Sequence, residues 1–157
     1  METADIAHIE GEPRPLFRRL TRFYRRVVPL SWLVVRIAVG GDLAIHGWGK
    51  IGRPGLPNAL MQKLPGLAPI GTEITFVLML TEFVGGLCII VGLFTRFWAA
   101  AAAIEMAVLT FYIYWGNGFA WLSRGYEYTL LWGLICFAIA LRGGGPYSID
   151  RRLGREL

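Results

Sequence analysis

Four apolar stretches leave this chain few folds to choose from. They run from about Pro29 to Trp48, Ile74 to Phe94, Phe97 to Trp115 and Tyr126 to Leu141, the last being the shortest. Each is near the roughly 20 residues that cross a 30 Å hydrocarbon layer at 1.5 Å per residue. The expected fold is all-α, a four-transmembrane-helix bundle over residues 29–142. Composition agrees. The 157 residues have room for one domain, 55% are hydrophobic, and the charged fraction is 17% against a soluble average of about 25%.

The flanks are of a different kind. Residues 1–13 are acidic and aperiodic and read as a flexible tail. Over residues 14–28, Pro15 suits a first helical turn. Leu16, Phe17, Leu20, Phe23, Tyr24 and Val27 then recur at helical spacing with arginines opposite. That pattern predicts an N-terminal amphipathic helix lying in the headgroup layer. Residues 143–157, after Arg142-Gly-Gly-Gly-Pro146, read as a polar cytoplasmic tail. No cleavable signal peptide is visible, because the first 28 residues lack an apolar core.

Charge sets orientation. Eleven arginines flank the side holding both termini and the Leu93-Phe-Thr-Arg96 turn, whereas Lys50, Arg53, Lys63 and Arg124 make four on the other. The positive-inside rule places both termini in the cytoplasm. The net charge is +5, and because the arginines border apolar spans, the expected partner is the anionic lipid bilayer and no nucleic acid. The Pro-rich connection from about Gly49 to Gly71 is long enough to be a functional lid. Ala99, Ala103 and Ala107, with Gly85, Gly86 and Gly92, supply small-residue faces for close helix packing.

Ionisable residues inside the spans carry the chemistry. Asp42, His46 and Lys50 stand at i, i+4 and i+8 and form one helical stripe. Glu82 and Glu105 fall mid-span, Glu127 at the outer end of the fourth, and Arg36 nearer the cytoplasmic side. Such residues in a bilayer face protein, cofactor or water and usually pair. They admit two readings. One is a satisfied polar network that fixes helix register. The other is an outer-half pocket in which Asp42, His46, Lys50, Glu82 and Glu127 surround a quinone or small oxidisable substrate, where His46 and a carboxylate pass the protons that accompany electron transfer.

No residue here carries electrons. Cys88 and Cys136 lie in separate apolar runs without a Cys-x-x-Cys and read as small buried side chains, so there is no haem or metal motif. A redox role therefore needs a partner protein or a bound cofactor, with quinone the candidate.

The motifs resemble a known family. His46-Gly-Trp-Gly-Lys50 is similar to the HG-x-x-K of DoxX/DoxD-type membrane proteins. Glu82-Phe-Val-Gly85-Gly86, with Gly92 and Thr95-Arg96, resembles their E-x-x-G-G…G…T-R pattern. Asn117-Gly118 followed by Gly125-Tyr126-Glu127 resembles a third landmark, and the likeness covers about residues 30–150. It implies a multi-pass protein of a prokaryotic inner membrane, and a small subunit of a thiosulfate:quinone oxidoreductase or of a membrane redox complex handling thiols.

The resulting expectation is a subunit of a quinone-linked oxidoreductase. In it His46 and Glu82 are catalytic, Asp42, Lys50, Asn117 and Glu127 bind quinone or substrate, and Arg36 and Glu105 are structural ion-pair candidates. Other membrane subunits or further copies of the chain are the expected protein partners. The alternative is a non-catalytic accessory or assembly subunit that docks on a larger membrane complex through its N-terminal helix and glycine–alanine faces. A channel or transporter would need oligomerisation, because four short helices enclose little room.

Overall fold

The computed structural model describes residues 18–155; the expected 1–13 tail and the first residues of the expected amphipathic helix lie outside the described residues. The described chain is helical, with no strand among those residues. In order it forms α1 (Arg18–Trp48), α2 (Asn58–Lys63), α3 (Pro65–Val91), α4 (Thr95–Asn117), α5 (Glu127–Arg142) and α6 (Ile149–Leu153). Three of these helices are long and apolar enough to cross a membrane: α1 over Arg26–Trp48, α3 and α4.

Only 28–33% of the most apolar stretch of each is buried. Ile45, Ile104 and Tyr112 point outward at 74%, 67% and 75% exposure. A monomer in water does not hold so continuous an apolar surface. Lipid is the solvent of these faces, and the chain is a multi-pass membrane protein.

Two element boundaries differ from expectation. α1 runs without interruption from Arg18 through Pro29 to Trp48, so no break separates the basic N-terminal part from the first span. α3 begins at Pro65, well before Ile74. Its first turns are a 3₁₀ segment, Pro65–Ile70, where prolines are tolerated because first-turn N–H groups have no intrahelical partner. The connection between the first two spans thus shrinks to a short turn region plus α2.

The helices pack antiparallel in pairs. Along α4 and α5, Thr110 Oγ1 donates to Thr129 Oγ1 at 2.9 Å, Gly133 faces Met106, and Arg96 donates to the Ala140 and Leu141 carbonyls at 3.1 and 2.5 Å. Arg96 thereby caps the C-terminal end of α5, whose last carbonyls have no helical donor. α5 has 16 residues, about 24 Å of helix.

Along α1 and α3 the backbones nearly touch at Gly40 and Gly86. A methyl on Gly86 would lie 2.6 Å from Gly40 O and 2.8 Å from Ala44 N, both backbone atoms that cannot swing aside. Gly86→Ala is therefore expected to lower stability by about 1–3 kcal/mol through overpacking. Gly41→Ala, with nothing within 4 Å, should be neutral or gain up to about 1 kcal/mol of helix propensity. Unfolding of the two variants in the same detergent checks the contrast.

In α4 the buried small residues are Ala99 and Ala102, while Ala107 is exposed. Steps of four residues drift by about 40° each, so Ala107 has rotated out of the interface. Val39, Leu43, Ile89, Ala99, Ala102, Met106, Cys136 and Ile139 form the core that fills the bundle centre.

This core separates two polar regions. At the base, level with the Gly92–Phe94 turn, Arg36 is fully buried and donates to Gly144 O at 2.7 Å, Tyr147 O at 2.5 Å and Ile90 O at 3.3 Å. Asp150 beside it accepts from Phe94 N at 2.7 Å, Thr95 N at 2.9 Å and Thr95 Oγ1 at 2.6 Å. The segment after α5 is thus docked into the base of the bundle. The second polar region, at the opposite end, is a cavity.

Candidate functional site

The cavity has a volume of about 900 Å³ and is walled by all four long helices together with α2. Three of its polar groups come from α1 and the turn after it. Asp42, His46 and Lys50 share the face that their spacing predicts, and all three line the cavity. On the facing helix, Glu82 sits in a π-helical turn, Leu80–Val84. A second π-helical turn, Leu109–Tyr114 in α4, contributes Leu109, Ile113 and Tyr114 to the same wall. π-turns are rare and concentrate at functional sites, because the extra residue re-aims side chains that an α-helix would turn away. Both π-turns among the described residues border this one cavity.

Its polar groups form two sets. In the first, Tyr128 on α5 donates its hydroxyl to Asp42 Oδ2 at 2.5 Å and lies 3.4 Å from His46 Nε2. His46 Nε2 is itself 4.0 Å from Asp42 Oδ2. In the second, the Lys50 ammonium pairs directly with Glu82 Oε2, and the two side chains are only 20% and 5% exposed. Deeper still, Glu105 and the Trp132 indole N–H are buried against the cavity without a hydrogen bond of good geometry. Leu43, Leu78 and Met106 provide apolar wall between them.

Above the deep groups, α2 lines the cavity through Asn58, Leu60 and Lys63, with Arg124 on another part of the lining. The connection expected as a lid does contribute wall here. Below them Leu43 and Met106 belong both to the cavity wall and to the packed core that lies towards the base.

The sequence candidates divide accordingly. Asp42, His46, Lys50, Glu82, Glu105 and Asn117 all line the cavity, and Asn117 also donates Nδ2–H to Arg124 O at 2.9 Å, fixing the loop that follows α4. Glu127 does not line it. Its Oε2 accepts from Trp121 N at 3.2 Å, which clamps the same loop. Arg36 stands at the base, across the core from Glu105, so the two ion-pair candidates are not brought together; Asp150 supplies the charge near Arg36.

Two site residues were missed from sequence, Tyr128 and Trp132. They are i and i+4 on α5, with rings packed edge to face at 5.8 Å between centroids. Their signal was available in that spacing, together with the position of Tyr128 next to Glu127, but aromatic residues in a span read first as packing.

Comparison with known proteins places these features. The DoxX family profile matches residues 31–115. An uncharacterized protein of Haemophilus influenzae is 31% identical over 131 residues, covering 82% of this chain and 94% of its own length. No solved structure matches.

Proposed function

The chain belongs to the DoxX family, and from that premise we propose that it is the small quinone-binding membrane subunit of an oxidoreductase of a prokaryotic inner membrane. The domain of residues 29–142 crosses the bilayer four times, α5 being the short fourth crossing, and both termini are cytoplasmic. The cavity then opens in the outer half. One observation carries the reading. Tyr128, Asp42 and His46 form a hydrogen-bonded group on the wall of a cavity that also holds the Lys50–Glu82 pair beside apolar and aromatic wall from Leu43, Leu78, Met106 and Trp132. Its size falls in the range that encloses small ligands.

Reduction of a quinone adds two electrons and two protons to its carbonyl oxygens. The electrons come from a partner protein's redox centre. The protons come through this chain. His46 hands them on, with Asp42 and Tyr128 orienting its ring. Lys50, held by Glu82, presents a positive charge to the developing oxyanion, or to an anionic reductant such as thiosulfate. Glu105 and the Trp132 N–H are placed to take the ligand's own hydrogen-bonding groups. Asn117 and Glu127 hold the loop over the site.

The test is reduction of a short-chain ubiquinone by the complex isolated from its native membrane. His46→Ala is expected to lower turnover by about 100-fold, the scale of positioned proton transfer, with partner assembly intact. Lost assembly with unchanged quinone affinity would instead support the accessory reading. That reading has one observation of its own. From Arg18 to Ser31, α1 extends about 21 Å beyond Trp32, which is fixed to Gly143 at the base, and it exposes Phe23, Tyr24 and Val28.

A further inference from the structure

We propose that the base of the bundle carries a binding site for the headgroup of an anionic phospholipid, built from Arg142, Arg151 and Arg155. These three arginines line one shallow groove of about 480 Å³, together with Gly145, Asp150 and Gly154. All three side chains are exposed, and none forms an ion pair among the described residues. The one carboxylate in the groove does not neutralise them. Asp150 is 2% exposed, and its oxygens are turned inward onto Phe94 and Thr95.

The groove is held in shape by the fold. Arg142 lies over the Trp32 ring at 4.6 Å, and the indole N–H of Trp32 donates to Gly143 O at 2.8 Å. Gly145 and Gly154 take positive φ of 70° and 66°. A side chain on Gly145 would strike Trp32. These turns bring Arg151 and Arg155 back beside Arg142, with Arg155 N donating to Asp150 O at 3.3 Å. Three like charges so placed repel one another until an anion lies between them.

The surface leading to the groove identifies the anion's carrier. Leu131, Leu134, Phe137 and Leu141 form an exposed apolar stripe along α5, at 55%, 58%, 54% and 64% exposure, and the stripe ends at Arg142. Acyl chains lying on that stripe place a phosphate at the guanidiniums, which bind phosphate oxygens through paired N–H donors. The arginine count alone assigns acidic lipid to a whole side of the protein; the groove confines it to one site.

Full-length protein in mild detergent, offered equal phosphatidylglycerol and phosphatidylcholine and read by native mass spectrometry, tests this. Phosphatidylglycerol should be retained in preference. Each guanidinium removed should weaken retention about fivefold, so Arg151→Gln loses about fivefold and the triple glutamine variant about a hundredfold. Arg152→Gln removes the same charge from a neighbour outside the groove and should change little. Equal losses from Arg151→Gln and Arg152→Gln would reduce the effect to general charge and overturn the site. So would equal retention of the two lipids, or displacement of phosphatidylglycerol by millimolar inorganic phosphate, which would make free phosphate the occupant. If Arg151→Gln lowers the unfolding midpoint, Arg151→Lys replaces it, and failure of the lysine to restore part of the selectivity counts against the proposal.

Discussion

Lys50→Met should destabilise the bundle by about 3–5 kcal/mol, the scale of a buried ion pair broken on one side only. Glu82 is 5% exposed on its side chain, and Lys50 is the cation that pairs with it. Removing the ammonium leaves that carboxylate unpaired beside Glu105. A buried carboxylate stripped of its cation is an uncompensated charge, and the fold must lose packing to let water reach it. The double variant Lys50→Met/Glu82→Gln removes both charges together and should recover most of the loss, because replacing a whole buried pair is often near neutral. Unfolding by SDS titration of the two variants measures the difference. A single variant as stable as wild type would show that the pair is solvated. The recovered double variant is also the informative one for function. It should fold, so that quinone affinity measured on it tests the proposed part of the positive charge in the site apart from the pair's structural part.

Much of this region was legible in the sequence, and the reasons show where legibility ends. Asp42, His46 and Lys50 were found together because helical spacing is a one-dimensional pattern and survives into three dimensions. Glu82 and Glu105 were visible as carboxylates where a span tolerates almost none. Glu82 was expected in one pocket with Asp42, His46 and Lys50, but the place of Glu105 in that same cavity was not. The two π-turns on its wall were invisible because an i+5 register leaves no periodic mark in the residues around it. Tyr128 and Trp132 were hidden by their apolar character. At the base the loss was greater. Arg36 looked like a charge seeking a carboxylate in a neighbouring span, but most of its hydrogen bonds go to backbone carbonyls. Carbonyls have no side-chain signature. The glycine run after α5 that supplies Gly144 reads only as a helix stop. Pro65 and Pro69 misled in the same way, as loop signals that are equally at home in a helix's first turns.

Asp150→Ala is expected to have the largest effect at the other end of the bundle, roughly 4 kcal/mol. Three losses combine. The carboxylate caps the start of α4 by accepting from Phe94 N, Thr95 N and the Thr95 hydroxyl, and losing such a cap costs about 1–2 kcal/mol. The donors it leaves behind stay buried, Thr95 being fully so, and an unsatisfied buried donor costs about 1–3 kcal/mol. Arg36, fully buried, also loses the negative charge beside it. Asp150→Asn keeps one acceptor oxygen and should lose about half as much. Equilibrium unfolding of the two variants, with limited proteolysis of the segment after Arg142, measures both losses. A wild-type midpoint for Asp150→Ala would mean that the C-terminal segment is not docked in solution. Because the apolar core lies between Asp150 and the cavity, quinone affinity should be unchanged in whatever fraction remains folded. Retention of phosphatidylglycerol should fall with Asp150→Ala, since Arg151 and Arg155 are carried on the backbone that Asp150 anchors. Arg151→Gln should reach the same lipid defect with no loss of stability. That contrast distinguishes the anchor of the base from the groove built upon it.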